Sequence, residues 1–309
     1  MKIAIWGAGG IGCYYGARLQ MAGHQITYVA RGEHLKALQT NGLNVEHETL
    51  QFHGPVNAWD QSEWMELFSC DHFDLIIITL KANVTSEVMQ QAKAWLDQGK
   101  CPILSLQNGV ENEQLIASVV GEERTLGGLA VRIGGHILKP GYVEARGVAQ
   151  IVLGEWPVKN EQSELGCIAD DLVTLFNDAE IPTTLSSDIR RELWRKLLIN
   201  NGVNPLSALT GLDTRSLTRN SAYKKVVYKM MQEAASAAKV EGVSITDTDV
   251  DEMFKLISEF DAIKTSMLVD KEKGRPLELD GICGAVIRRS AEPEQSLMTE
   301  FINELLVNS

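Results

Sequence analysis

The first twelve residues limit the fold more than any other stretch. Met1-Lys-Ile-Ala-Ile-Trp6 is a short apolar strand that runs straight into Gly7-Ala-Gly-Gly-Ile-Gly12. This is a G-x-G-x-x-G motif at the handover from a first strand to a first helix, and each glycine has a physical reason. Gly7 permits a tight turn, Gly9 lets the backbone approach a pyrophosphate, and Gly12 lets the helix pack close to the sheet. The helix that follows, Ile11 to Ala22, aims its free N–H groups and positive dipole end at the same place. Without that context the motif would be a glycine-rich turn. With a strand before it and a helix after it, it points to a dinucleotide held by Gly7, Ala8, Gly9, Gly10, Ile11 and Gly12.

The first half of the chain alternates strand and helix. Strand-like runs at Lys2–Trp6, Gln25–Ala30, Leu75–Thr79 and Ile103–Leu106 are separated by helical patterns at Ile11–Ala22, His34–Asn41, Val84–Leu96 and Asn112–Val120. Such alternation predicts βαβ units on a parallel sheet. Leu75-Ile-Ile-Ile-Thr79 is continuously apolar, as a central strand buried on both faces should be. After Gly127 glycines punctuate short strands such as Gln150–Leu153. A helix at Leu165–Asp178 and a strand at Thr183–Leu185 follow. From Ser187 onward the pattern is helical, with apolar spacings of three and four at Arg190–Asn200, Tyr223–Glu241 and Val250–Phe260. The fold class expected is α/β: an N-terminal Rossmann-type doubly wound sheet at 1–186 and a C-terminal all-α domain at 187–309. In that layout a substrate is expected in the cleft between the two.

A chain of 309 residues readily buries a core in two domains. Its net charge of −12 argues against nucleic acid or an anionic membrane as the main partner. Five cysteines (Cys13, Cys70, Cys101, Cys167 and Cys283) are scattered without C-x-x-C spacing, so neither a zinc site nor a disulfide framework is expected. No apolar run approaches the roughly 18 residues of a membrane span, and no leader pattern precedes the first strand. A cytoplasmic protein is expected. Nothing in the sequence sets the oligomeric state, and the helical half could carry a homodimer interface.

The choice of nucleotide turns on the end of the second strand. A Rossmann domain selective for NAD carries Asp or Glu there, on the ribose 2′-hydroxyl. Here Ile26-Thr-Tyr-Val-Ala30 ends in Arg31. A planar guanidinium suits a 2′-phosphate, and Lys36 could add charge, so NADP(H) is favoured. Lys81 follows the Leu75–Thr79 strand, and Asn108 follows Ile103–Leu106 within Gln107-Asn-Gly109. Ligands bind outside the carboxyl ends of such strands, although Asn-Gly taken alone is a turn signal.

The second half holds Glu192-Leu-Trp-Arg-Lys-Leu-Leu-Ile-Asn-Asn-Gly-Val-Asn-Pro-Leu206. Lys196, Asn200 and Asn204 are four apart, which puts all three on one helix face. Leu193, Leu197 and Leu198 can serve as the packing side. One amine and two amides suit a carbonyl and a hydroxyl, while a solvated polar face ending at Pro205 would give the same spacing. Ser266 and Glu278 flank a charged stretch, Lys271–Arg275, that reads most simply as a solvated loop.

Taken in order, Gly7–Gly12, Arg31, Thr79-Leu-Lys81, Asn108-Gly109, Glu192-Leu-Trp-Arg-Lys196 with Asn200 and Asn204-Pro-Leu206, Thr265-Ser-Met-Leu268 and Glu278-Leu-Asp280 resemble the ketopantoate reductase (2-dehydropantoate 2-reductase) family over nearly the whole chain. The resemblance implies NADPH/NADP+ as cofactor and a 2-oxo acid as substrate, with reduction of 2-dehydropantoate on the route to pantothenate and coenzyme A. It implies Lys196 as general acid, Asn200 and Asn204 on the substrate's oxygens, and Ser266 at its carboxylate. Asn108 would sit near nicotinamide and substrate, Lys81 on the cofactor side, and Glu278 on the cofactor ribose near the Lys196 amine. Two stretches depart from the family pattern. Cys283, in Asp280-Gly-Ile-Cys-Gly284, stands where Asn is common. Arg288-Arg-Ser-Ala-Glu-Pro293 lacks the usual glycine–hydrophobic–proline turn.

Two other readings compete. One keeps the mechanism and changes the substrate to another branched 2-oxo acid. The other is an NADP(H)-binding sensor without chemistry, since a Rossmann domain need not be catalytic.

Overall fold

The computed structural model describes residues 1–157, 163–260 and 262–308. The chain forms two compact units, Met1–Gln107 with Asn112–Ile189, and Asn108–Glu111 with Arg190–Ser309.

The first unit contains β1 (Lys2–Trp6), α1 (Gly10–Met21), β2 (Gln25–Val29), α2 (Gly32–Asn41), β3 (Leu43–His47), β4 (Leu50–Gly54), β5 (Asn57–Trp59), α3 (Gln61–Leu67), β6 (Leu75–Ile78) and α4 (Thr85–Leu96). It continues with β7 (Ile103–Ser105), α5 (Asn112–Val120), β8 (Thr125–Val131), β9 (Gly134–Lys139), β10 (Tyr142–Arg146), β11 (Gln150–Glu155), α6 (Glu164–Asp178) and β12 (Thr183–Leu185). The main sheet runs β12-β11-β8-β7-β6-β1-β2-β5. All its neighbours are parallel except β8 and β11. Strand order reverses on either side of β1, as a doubly wound sheet requires. Trp6 pairs with both Val29 and Ile78, and Ile78 with Ser105. The register therefore ends β1, β2, β6 and β7 at one level, and their following loops leave the same edge.

Period-two alternation sorts the core. Ile3, Ile5, Leu75 and Ile77 pack on one side with α1 and α6, while Ala4, Trp6, Ile76 and Ile78 pack on the other with Trp64, Met89 and Trp95. A second sheet, β4-β3-β10-β9, was not expected. In β3 and β4 Leu43, Val45 and Leu50 are buried while Glu46, Gln51 and His53 are exposed, an alternation too short to stand out in sequence.

The second unit is helical: α7 (Ile189–Thr210), α8 (Thr214–Arg219), α9 (Ser221–Val240), α10 (Asp247–Glu259), α11 (Ser266–Glu272), a π-turn at Asp280–Gly284 leading into α12 (Ala285–Ile287), and α13 (Leu297–Val307). The helical pattern read over Arg190–Asn200, with Asn204 on the same face, extends further than Pro205 suggested: α7 passes through it to Thr210. An interior proline removes one hydrogen bond. Burial of Val203, Leu206 and Ala208 offsets that loss, as do bonds from Asn201 Nδ2 to the Met230 carbonyl (2.9 Å) and Thr299 Oγ1 (3.0 Å). Ser296 gives α13 no side-chain cap. The buried Glu233 carboxylate replaces it, accepting from the N–H groups of Met298 and Thr299 and from Thr299 Oγ1 at 2.7–3.1 Å. Among the described residues no helix is long and apolar enough to cross a membrane, and no cluster of His, Cys, Asp and Glu could hold a metal.

Candidate active site

Of the residues expected on the nucleotide side, Gly7–Gly12, Arg31 and Lys81 follow the carboxyl ends of β1, β2 and β6, while Asn108 and Glu278 fall in the second unit. Gly7 has φ +113°, and a Cβ there would lie 2.8 Å from the Leu80 nitrogen; only glycine fits. The peptide is pinned by Thr79 Oγ1 donating to the Gly7 carbonyl (2.6 Å) and by the N–H groups of Gly7 and Ala8 donating to the Val29 carbonyl. A Cβ on Gly12 would lie 2.5 Å from the Gly7 carbonyl oxygen and 2.8 Å from Ile5 Cγ2, so the helix must press on the sheet here. Gly9 differs. It is the N-cap of α1, and a Cβ would meet nothing nearer than 4.0 Å. The first turn of α1 has no acidic residue and no side-chain cap, so its N-terminal N–H groups and dipole face that open side. Gly10 has a role the motif does not reveal. The backbone of β9 lies on it, so that a Cβ would sit 2.5 Å from the His136 nitrogen and closer still to the Gly135 carbonyl.

Arg31 is the exposed N-cap of α2, directly past β2. Its guanidinium makes no hydrogen bond or ion pair among the described residues. Lys36 is paired with Glu33 at 2.8 Å, both exposed, which offsets the charge it could add. Lys81 is an exposed residue at the start of the 3₁₀ turn Ala82–Val84, past β6. Sequence reasoning missed Gln107. It is buried, and its Nε2 donates to the Leu80 carbonyl (3.0 Å) and Thr85 Oγ1 (2.8 Å). It thereby ties the loop past β7 to the one carrying Lys81. Its Oε1 is buried without a partner. The only signal in sequence was its place beside Asn108.

His34, in the first turn of α2, was also not singled out. Its Nδ1 accepts from the Gly141 N–H at 3.1 Å. A neutral ring must then carry its proton on Nε2, which faces Cys13 Sγ at 3.7 Å. Burial holds the imidazole below its ordinary pKa, against the opposing effect of the Ala8 backbone.

The residues expected on the substrate side all fall in the second unit. Lys196, Asn200 and Asn204 lie on α7, with Lys196 and Asn200 half-buried and Asn204 5 % exposed. Leu193, Leu197 and Leu198 are buried on the packing side. Among the described residues the Asn200 and Asn204 amides make no hydrogen bond within the protein. The neighbouring Asn201 is engaged in the core. Ser266 opens α11 directly after its N-cap Thr265, is exposed, and likewise has no internal partner for its hydroxyl. Glu278 is 7 % exposed, and Asn108 Nδ2 lies 3.5 Å from its Oε2. Cys283 is fully buried in the helical core, and burial pushes its thiol up to about 12. It packs against apolar side chains, which is where this departure in the sequence is spent.

Known proteins fit this arrangement. The family model described as ketopantoate reductase PanE/ApbA matches residues 3–158, and its C-terminal counterpart matches 188–295. A 2-dehydropantoate 2-reductase of Mesorhizobium japonicum is 31 % identical, covering 93 % of this chain and 90 % of its own. The crystal structure of a 2-dehydropantoate 2-reductase from Geobacter metallireducens superposes with a TM-score of 0.86 at 28 % identity, covering 100 % of this chain and 99 % of that one. A ternary structure of D-mandelate dehydrogenase with NADH and anilino(oxo)acetate shares the fold, with a TM-score of 0.88 at 24 % identity, covering 100 % of this chain and 97 % of that one.

Proposed function

The chain belongs to the ketopantoate reductase family, and from that premise we propose that it reduces 2-dehydropantoate to (R)-pantoate with NADPH. The family makes it an oxidoreductase acting on a 2-oxo acid with a reduced nicotinamide nucleotide. The identity of the acid and the roles of individual residues are the proposal. The observation that carries it is α7: the Lys196 amine shares a single face with two amides, Asn200 and Asn204, that make no hydrogen bond within the protein among the described residues, a donor set matched to a carbonyl, a hydroxyl and a carboxylate.

The nucleotide fits the first unit. The open side of Gly9 and the uncapped start of α1 suit a pyrophosphate, and the partnerless Arg31 guanidinium suits a 2′-phosphate. Gly7, Ala8, Gly10, Ile11, Gly12 and Lys81 complete that side, with Asn108 and Glu278 toward the nicotinamide ribose. Bound NADPH supplies the hydride. Lys196 does the acid work: its ammonium polarises the 2-oxo group and gives a proton from Nζ to the oxygen as negative charge builds there. Asn200 and Asn204 hold the substrate's oxygens and fix which face of the carbonyl is presented. Ser266 donates to the carboxylate. Buried Glu278 holds its place opposite the Asn108 amide and helps set the Lys196 amine.

The test is loss of reduced-nicotinamide absorbance with 2-dehydropantoate, run with NADPH and NADH beside a panel of other branched and aromatic 2-oxo acids. Fast turnover with NADPH and 2-dehydropantoate is expected. Preference for another acid would move the substrate and keep the mechanism. Tight NADPH binding with no turnover on any acid would favour a sensor.

A further inference from the structure

The direct contact between Asn108 and Glu278 is a long one. At 3.5 Å the contact is at the outer limit of a hydrogen bond. Asn108 is followed by Gly109 at φ +104°, a residue that imposes little stiffness. Yet the short segment Asn108–Glu111 belongs to the helical unit, apart from the residues on either side of it. Val110 packs on the helical core, and a polar tie lies beside it, three residues past Asn108. Glu111 Oε2 accepts from Arg288 Nη2 at 2.6 Å and its Oε1 from Arg288 Nε at 3.3 Å, a two-pronged pairing. The same guanidinium donates through Nη1 to Asp280 Oδ1 (2.5 Å) and through Nη2 to the Asp280 carbonyl (3.1 Å). Asp280 is two residues past Glu278. It opens the π-turn, a local widening of the helix that often marks a site under functional constraint.

We infer that Arg288 is a positioning residue, a brace that ties the segment carrying Asn108 to the turn carrying Glu278 and so sets the distance between them. This rests on the roles given above to Asn108 and Glu278. Three further facts fit a built device. Burial would raise the Glu111 carboxyl, but Arg288 and Arg289 outweigh it and hold the group below the usual carboxylate range. Arg289 anchors the far side of Glu111 to the helical core. Its Nη1 donates to Glu111 Oε1 (2.7 Å) and the Ala285 carbonyl (3.0 Å), its Nε to Glu241 (2.7 Å), and its guanidinium lies 5.6 Å from the centre of the Trp194 ring. Gly284 leaves the room Arg288 needs, since a Cβ there would lie 2.8 Å from Arg288 Nη1 and 2.9 Å from Asp280 Oδ1. Arg289 therefore ties Glu111 to the core, whereas Arg288 links Glu111 to Asp280 and so joins the two site segments. The brace is carried by the stretch that departs from the family's usual turn.

The test uses the full chain and two readouts. One is kcat and KM for the 2-oxo acid. The other is the Asn108 side-chain amide signal in the protein without ligand, assigned by its loss in Asn108→Ala. Arg288→Met and Glu111→Ala should each lower kcat by about tenfold or more, since a misplacement near 1 Å can cost up to ~10²-fold. The double variant should lose less than the product of the two single losses, because both cut the Arg288–Glu111 tie. Arg288→Lys, which keeps the charge and loses the fork, should recover only part of the activity. In Arg288→Met the Asn108 amide signal should shift. Unchanged kcat, losses that multiply in the double variant, or an unmoved Asn108 signal would each overturn the brace. If Arg288→Met does not fold, Arg288→Lys and Asp280→Asn give the same readouts. If the wild-type protein reduces no 2-oxo acid, the proposed function falls and the brace stands or falls on the Asn108 signal alone.

Discussion

Adjacent glycines in the phosphate loop should respond in opposite ways to a single methyl group. At Gly9 a Cβ would find its nearest neighbour at 4.0 Å, an ordinary contact, and the backbone is extended at φ −82°, ψ −165°, which alanine adopts without strain. Gly9→Ala should therefore leave the free protein as stable as before, or more stable by ~0.4–1 kcal/mol through a less flexible unfolded chain. At Gly10 a Cβ would lie 2.5 Å from the His136 nitrogen, where contacts normally settle at about 3.5–4.0 Å. The obstacle is backbone, so β9 must retreat by about 1 Å or more. Overpacking of this kind costs ~1–3 kcal/mol. β9 is the edge strand of its sheet, paired only with β10, which places the cost within that range rather than above it.

Ligand binding should reverse the order of harm. In the proposed nucleotide pose a methyl on Gly9 fills the space of the pyrophosphate, and a tenfold loss of affinity corresponds to ~1.4 kcal/mol, so Gly9→Ala should bind NADPH at least about tenfold more weakly. Thermal unfolding without ligand and a fluorescence titration with NADPH measure the two effects separately. Wild-type affinity in Gly9→Ala would show that no phosphate lies over Gly9, and the nucleotide pose would have to be abandoned. A melting loss in Gly9→Ala equal to that of Gly10→Ala would show that the open side of the loop had been misread.

Four further outcomes are expected. Lys196→Ala should lower kcat by ~10²–10⁴ while NADPH titrations stay close to wild type; near-normal turnover would remove Lys196 as the acid. Arg31→Ala should weaken NADPH by ~1.5–3 kcal/mol, the range for hydrogen bonds to a charged group, and leave NADH unchanged, so equal losses for both nucleotides would displace the 2′-phosphate from Arg31. His34 is held below its ordinary pKa mainly by burial, so below pH ~6.5 the unfolded chain binds the extra proton and stability falls as pH drops; the melting temperature of His34→Gln should fall less over that window, and parallel curves would refute the assignment. Cys283→Asn should destabilise the helical unit by ~1–3 kcal/mol, because it buries an amide without partners, and should leave the order of preferred 2-oxo acids unchanged; an altered order in a stable protein would place residue 283 at the substrate.

What could be read in the sequence was local. The first strand, its glycine turn and α1 form one continuous run. β6 is continuously apolar because both its faces are buried, and the Lys196, Asn200 and Asn204 spacing is fixed by the pitch of one helix. What could not be read depends on residues far apart in the chain. Gly10 is reserved by Gly135, more than a hundred positions away, and nothing at position 10 signals this. Asn200 and Asn201 look alike in sequence, yet only Asn201 meets the Met230 carbonyl and Thr299 and becomes part of the core. Pro205 signalled a helix end, but the packing of Val203, Leu206 and Ala208 outweighed the one hydrogen bond it removes.

The two departures from the family pattern carry different weight once they are placed. Cys283 lies fully buried among apolar side chains, so a thiol there is a packing choice and gives no information about the substrate. Arg288 stands five residues further on and faces the other way, onto Glu111 and Asp280. Its two partners lie three residues from Asn108 and two residues from Glu278, too close for either site residue to move freely while both ion pairs hold. The energetic coupling favours the same conclusion. A surface ion pair alone contributes little, but a guanidinium that engages two carboxylates and a carbonyl at once loses all of these contacts together if the segments separate. If substrate choice is set in this region, it is set by the distance that Arg288 imposes between Asn108 and Glu278, not by the identity of residue 283.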